Sequence, residues 1–243
     1  MKSNGFKPRY PLVWSKKNFS IKIFCSIPNI ATGILLKTEK TLSIIDPGDG
    51  ILRDINKELD PIQILSISDI FISHGHHDHL GGLWTLLTYF KVMNKKSPLR
   101  IYFPKGCIEI GSIYKAFLNV YTGSISYSIS LKEIDSERKI SIKDMQVKPF
   151  FVNHSEPSAD GLTVSKIPSL GFKFFNENLT ICYGGDTALC GSLIEMTKDS
   201  DLAIIEAGNT GDINDGIHLT LKEAREIGST AKEYFLVHVP ERR

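Results

Sequence analysis

The chain has 243 residues, 42% of them hydrophobic and 23% charged, with a formal net charge of +2. That length suits one globular domain with a sizeable core, and the near-neutral balance excludes a protein that grips nucleic acid by bulk electrostatics. No run of about 18 apolar residues offers a membrane-spanning helix, and the N-terminal MKSNGFKPRYPLVWSKKNFS lacks the apolar core of a secretory signal. Cys25, Cys107, Cys182 and Cys190 form no CxxC pair. They read as reduced thiols of a cytoplasmic protein.

Residues 1–19 read as an N-terminal extension or edge segment of a single domain spanning 1–243. Strands are then expected at 21–25, 31–37 and 41–46, closed by the turn residues Asp46-Pro47-Gly48-Asp49-Gly50. A helix is expected over 51–59, a buried strand over 68–73, a helix over 83–93, a strand over 99–103 and a helix over 107–120. Strands follow at 125–134, 139–153, 162–167, 171–175 and 179–183, then a helix at 188–198. A strand at 201–207, a helix at 219–231 and a strand at 234–239 complete the chain. Strand-rich stretches that pass into alternating helices predict an α/β architecture of two packed sheets with helices outside.

The stretch ISHGHHDHLGG, directly after the 68–73 strand, crowds His74, His76, His77, Asp78 and His79 together. Four imidazoles beside a carboxylate repel one another on protonation and resist burial. A cation that takes neutral nitrogens and a carboxylate oxygen removes that conflict. His74 and His76, two apart, project to one side of an extended backbone and can share an ion. Asp78 and His79 follow a turn and can reach a second ion, while His77 alternates away. His154, Asp186 and His238 are the suppliers of further ligands, and Asp186 can bridge.

His74-Gly75-His76-His77-Asp78-His79 matches the HxHxDH signature of the metallo-β-lactamase superfamily. IIDPGDG (44–50), VNHSEP (152–157), YGGDT (183–187), IIEAGN (204–209), HLT (218–220) and LVHV (236–239) match in order. The chain resembles the RNase Z-like phosphodiesterase branch. The resemblance implies an αββα four-layer sandwich with two mixed sheets face to face. It implies two Zn2+, with manganese or iron also permitted by the ligand set. His74, His76 and His154 would hold one ion and Asp78, His79 and His238 the other, with Asp186 bridging. Asp46 would orient the ligand loop, its plainer reading being a turn residue. An aspartate, not a cysteine, at position 186 argues against antibiotic hydrolysis.

The expected chemistry is in-line hydrolysis of a phosphodiester by a metal-activated water. The resemblance implies that Asp78, His218 and Glu206 would form the catalytic set, a Glu206–His218 pair assisting the leaving group, while Thr220 is expected to cap a helix. RNase Z enzymes usually insert a tRNA-gripping arm between the third histidine motif and the GDT aspartate, and 32 positions between His154 and Asp186 leave no room for one. The basic residues Lys95, Lys96, Arg100, Lys105, Arg242 and Arg243 read as scattered surface charge. Size and motif order are similar to the anti-Pycsar cyclic-nucleotide phosphodiesterases. A small phosphodiester is therefore the expected substrate, with cyclic mononucleotides first, and a homodimer is expected. Tyr121, Tyr127 and Phe151 are candidates to stack on a base, or else core residues. The alternatives are an arm-less tRNA 3′-end nuclease and, from another class, a non-hydrolytic metal-binding redox protein.

Overall fold

The computed structural model describes residues 9–160, 162–211, 213 and 215–240. Seven strands form one sheet in chain order: β1 (Leu12–Lys16), β2 (Phe19–Ile27), β3 (Ala31–Lys37), β4 (Leu42–Ile45), β5 (Asp69–Phe71), β6 (Leu99–Pro104) and β7 (Ile129–Ile134). The first four are antiparallel neighbours, whereas β4 to β7 run parallel. Residues of β3 and β4 are buried almost throughout, so they read as continuous apolar runs. Parallel neighbours need crossovers, which α1 (Ile51–Ile55), α2 (Pro61–Ser66), α3 (His77–Leu80), α4 (Leu83–Val92) and α5 (Ile108–Tyr121) supply. Asp60 and Gln63 form a capping box at the start of α2, with Pro61 in the first turn.

The second sheet contains β8 (Ile140–Ile142), β9 (Met145–Phe151), β12 (Leu170–Asn176), β13 (Leu179–Tyr183), β14 (Leu202–Glu206) and β15 (Tyr234–Val237). Their spatial order is β15-β14-β13-β12-β9-β8, and β13, β14 and β15 are parallel. β10 (His154–Pro157) and β11 (Val164–Ile167) form a separate two-stranded hairpin. α6 (Gly191–Thr197) and α7 (Leu221–Gly228) cover the outer face.

Between the sheets, Ile21, Ile34, Ile45 and Phe71 meet Val147, Phe172, Phe174 and Ile204. Phe71 stacks on Tyr102 at 5.0 Å and meets Phe172 and Phe174 edge-on at 5.5 and 5.4 Å. Separate apolar clusters lie beneath the helices on each side. The four-layer αββα sandwich expected from the sequence is the observed fold.

Several expectations are corrected in detail. The run 139–153 is a hairpin, turned at Lys143 with φ 46°, and not one strand. Within 1–19, read as an extension or an edge segment, β1 lies at the edge of its sheet, paired to β2; residues 1–8 lie outside the described residues. Lys95 is not surface charge: it is 1% exposed and donates to the carbonyl of Ile67 at 2.7 Å and to that of Leu65, near the end of α2. Arg100 holds Asp69 through two bonds of 2.7 and 2.9 Å. Arg242 and Arg243 lie outside the described residues.

One carboxylate ties the turns of the two sheets together. Asp144, between β8 and β9, accepts from the Thr38 and Thr41 hydroxyls at 2.8 Å each and from the Lys40 amide at 3.0 Å. Burial would raise its pKa, but these bonds outweigh that and hold it below the usual carboxylate value. A depressed folded pKa contributes stability above the unfolded value, lost as pH falls through the folded one. Asp144→Ala should lower the unfolding free energy by about 1–3 kcal/mol in urea at neutral pH. The gap between variant and parent should narrow below about pH 4.

Candidate active site

The site forms where parallel strands end, the usual place for chemistry in open α/β sheets. His74 follows β5, Asp186 follows β13 and His238 follows β15. His154 begins β10, three residues beyond the end of β9. His76 caps α3 in an extended conformation, and the single turn of α3 carries Asp78 and His79 inward. His77, on the same turn, is exposed. Gly48 lets the DPGDG turn press against this helix, since a β-carbon there would stand 2.2 Å from the Asp78 carbonyl oxygen. Asp46 and His238 both take left-handed backbone conformations, φ 47° and 53°, at the mouths of their strands.

All seven residues expected as metal ligands converge. Potential ligand atoms of His74, His76 and His154 lie within 4.8 Å of one another, as do those of Asp78, His79 and His238. Those of His74, His79 and Asp186 do likewise, so Asp186 touches both groups. Its Oδ2 stands 3.2 Å from His79 Nε2, 3.2 Å from His238 Nε2 and 3.9 Å from His74 Nε2. Asp78 Oδ2 is 3.2 Å from His238 Nε2, and His76 Nδ1 is 3.2 Å from His154 Nε2.

Three outward-facing nitrogens are tied down, whereas His238 Nδ1 is buried without a partner. The buried Asp46 carboxylate meets His79 Nδ1 at 2.9 Å and accepts from the Ser73 amide and hydroxyl at 2.7 Å each and from the Tyr183 hydroxyl at 2.5 Å. Because the Ser73 hydroxyl donates to Asp46, it accepts from His74 Nδ1 at 3.0 Å. His154 Nδ1 donates to the Ile217 carbonyl at 3.1 Å. Asp46 thus braces Ser73, His79 and Tyr183 as well as forming part of a turn. The Asn29 amide donates to Asp78 Oδ2 at 2.9 Å from the β2–β3 turn.

Charge states follow from this packing. Burial, reinforced by neighbouring imidazoles, holds His74 well below the usual histidine value, against the pull of Asp186. Burial likewise brings His154 down to about 4. His79 goes the other way: burial opposes its charged form, but Asp186 and Asp46 outweigh burial. Burial opposes the Asp78 carboxylate, yet the His238 hydrogen bond and the nearby imidazoles bring it to about 2.

The donor set fits divalent cations. His74 Nε2 and His79 Nε2 are fully buried without a hydrogen-bond partner, and each faces Asp186. An orphaned buried polar atom costs about 1–3 kcal/mol, a cost that coordination removes. No cysteine belongs to the clusters; Cys182 faces Thr197, and burial pushes its thiol up to about 12.

Beside the cluster, His218 Nδ1 sits 3.1 Å from Glu206 Oε1. Burial would lower the His218 pKa, but the Glu206 hydrogen bond and charge outweigh it and raise it to about 9. The ring stands between His154 and His238, at centroid distances of 5.1 and 5.2 Å. Glu206 is 1% exposed and also receives the amides of Thr187 and Leu219, so it is no surface carboxylate. Thr220 caps α7 in a capping box with Glu223. Of the aromatic candidates, Tyr127 is core, its hydroxyl donating to the Leu87 carbonyl; Tyr121 packs on Phe117, and Phe151 is 47% exposed on β9.

Sequence reasoning did not assign Ser73, Tyr183, Asn29 or Glu156. Tyr183 and Glu156 lie inside the motifs YGGDT and NHSEP, and Ser73 abuts the histidine run, so position was the available signal. Asn29 contributes a backbone amide and leaves none.

A buried, two-part histidine–carboxylate centre on an αββα sandwich defines a metallo-hydrolase of the metallo-β-lactamase fold. The family described as the beta-lactamase superfamily domain matches residues 43–239, and the chain belongs to it. It is 27% identical to the ribonuclease Z of Pyrococcus abyssi over 251 residues, covering 87% of this chain and 79% of that protein. The short form of human tRNase Z superposes with a TM-score of 0.69 at 22% identity, covering 90% of each chain. The metallo-beta-lactamase fold protein YhfI of Bacillus subtilis superposes with a TM-score of 0.72 at 17% identity, covering 92% of this chain and 86% of that one.

Asp186→Ala should remove at least one divalent ion per chain, measured by elemental analysis after loading. Addition of zinc should then raise the variant's melting temperature less than the parent's. Full loading of the variant would take Asp186 out of the ligand set.

Proposed function

We propose that the chain is a dinuclear-metal phosphodiesterase that hydrolyses a small phosphodiester, with 3′,5′-cyclic mononucleotides opened to 5′-mononucleotides as the favoured substrates. The observation that carries this reading is the seven-ligand centre with its orphaned inward nitrogens, set directly beside the Glu206–His218 pair. His74, His76 and His154 would hold one ion, Asp78, His79 and His238 the other, and Asp186 would touch both. Two divalent ions there would supply Lewis-acid charge to a phosphate oxygen and lower the pKa of a water toward about 7.

The chain's own residues handle the proton of the leaving group. Glu206 on Nδ1 fixes the His218 ring and keeps it protonated at neutral pH. His218 then donates from Nε2 to the departing oxygen as the phosphorus–oxygen bond breaks, and regains a proton from solvent. Dications nearby would lower its pKa from about 9, toward the working range.

Support for a small substrate comes from the interval between His154 and Asp186. β12 and β13 belong to the sheet there, so the β10–β11 hairpin is what stands apart from it. Tight binding of a tRNA draws on many phosphate contacts, which a net charge of +2 does not favour. The likeness to ribonuclease Z favours a second reading, an arm-less tRNA 3′-end nuclease. A homodimer and a cytoplasmic setting belong to the same proposal. Among the described residues, no helix is long and apolar enough to cross a membrane.

Turnover of cyclic CMP, UMP, AMP and GMP, set against a precursor tRNA with metal content measured on the same sample, separates the readings. Activity on the tRNA alone would defeat the first. His218→Ala should keep both ions and lose about 10²–10⁴-fold in turnover. Because His218 acts protonated, the parent's rate should fall as pH rises through a pKa no higher than about 9, and the variant should lack that limb.

A further inference from the structure

His76 differs from His74, His79 and His154 in how it is held. His74, His79 and His154 are tied through Nδ1, by Ser73, Asp46 and the Ile217 carbonyl, which leaves Nε2 inward. His76 turns Nδ1 inward, toward His154 Nε2, and its outward nitrogen is Nε2. That nitrogen meets Glu156 Oε2 at 3.0 Å. The partners of His74 and His79 are buried core groups, whereas Glu156 is 58% exposed and sits on the β10–β11 hairpin. β10 and β11 pair only with each other, and their outer residues are mostly exposed. Two residues apart on one strand, His154 and Glu156 share a face, so β10 supplies both a ligand and the anchor of its neighbour.

We propose that Glu156 is a positioning residue that couples the seating of the β10–β11 hairpin to occupancy of the ion held by His74, His76 and His154. This rests on the metal-site reading above. The physical argument concerns the tautomer. An inward Nδ1 can coordinate only if the ring proton sits on Nε2, and an acceptor at Nε2 fixes that proton and the ring's orientation. As a largely exposed polar contact it contributes little to folding. Its effect is therefore expected on metal affinity and on the hairpin, not on the stability of the metal-free chain. The coupling is reciprocal: an ion that fixes His76 presents Nε2–H to Glu156 and seats the hairpin, and a seated hairpin tightens the ion.

The test is zinc binding by chelator competition, together with hydrogen exchange of the hairpin amides, on the full chain. Glu156→Ala should raise the dissociation constant of one of the two ions about 10–100-fold and leave the other unchanged. The melting temperature of the metal-free protein should not move. Glu156→Gln, whose amide oxygen offers an acceptor at the same place, should restore most of the affinity. Zinc should slow exchange across the hairpin in the parent and the Gln variant, but not in the Ala variant. Unchanged binding of both ions by Glu156→Ala would overturn the inference, as would equal weakening of both with a lower metal-free melting temperature. A parent that binds no divalent ion would overturn the site reading itself, a separate and distinguishable failure.

Discussion

A carboxylate buried at the seam of the two sheets organises this molecule. Asp46 follows β4 in the first sheet, and its oxygens receive Ser73 from the loop after β5, His79 from α3 and Tyr183 from β13 in the second sheet. An ionised carboxylate fully removed from water is costly unless its lone pairs are met. Here four donors meet them, three being the hydroxyls and amide of neighbours already fixed by the fold. The fourth, His79 Nδ1, is the one that matters for chemistry, since holding it aims Nε2 at Asp186. The left-handed backbone at Asp46 is the local strain accepted to place the carboxylate there.

The same constraint explains why each sheet passes from antiparallel to parallel. Antiparallel strands send successive loops to opposite ends, whereas β4 and β5, like β13, β14 and β15, all end on one side. Those ends deliver Asp46, His74, Asp186, Glu206 and His238 to a single rim. The apolar interior between the sheets holds the two sets of strand ends together. The site is therefore a consequence of strand direction combined with close packing, and the loops need supply only short reaches.

What could be read from the sequence was whatever a residue announces by its own chemistry or its immediate neighbours. The run His74 to His79 is legible because crowding of imidazoles is itself improbable without a partner. Apolar runs such as those of β3, β4 and β14 are legible because burial on both faces leaves a continuous signature. The rest depends on distant contact. The turn at Lys143 carries no glycine, so only pairing of β8 with β9 reveals it. Lys95 looked like surface charge because its carbonyl partners near the end of α2 come close only after folding. Asn29 contributes a main-chain amide that any residue would possess. Glu156 gains meaning only once β10 lies beside His76.

The balance of charge at the centre bears on what it can bind. Without a cation, the centre gathers five imidazoles and two carboxylates, and Asp186 lies close enough to Asp78 to disfavour its ionisation. A phosphodiester anion brought to that rim would meet net negative charge. One divalent cation would only neutralise the two carboxylates. Two would leave an excess of positive charge in a buried, low-dielectric setting, where attraction for an anion is strong. Beside it, Glu206 and a protonated His218 form a neutral pair, which would add little to that field while leaving His218 a proton to give in the proposed reaction. On the proposed reading, a second ion would serve anion binding as well as chemistry, and Asp186 lies within reach of both halves of the centre.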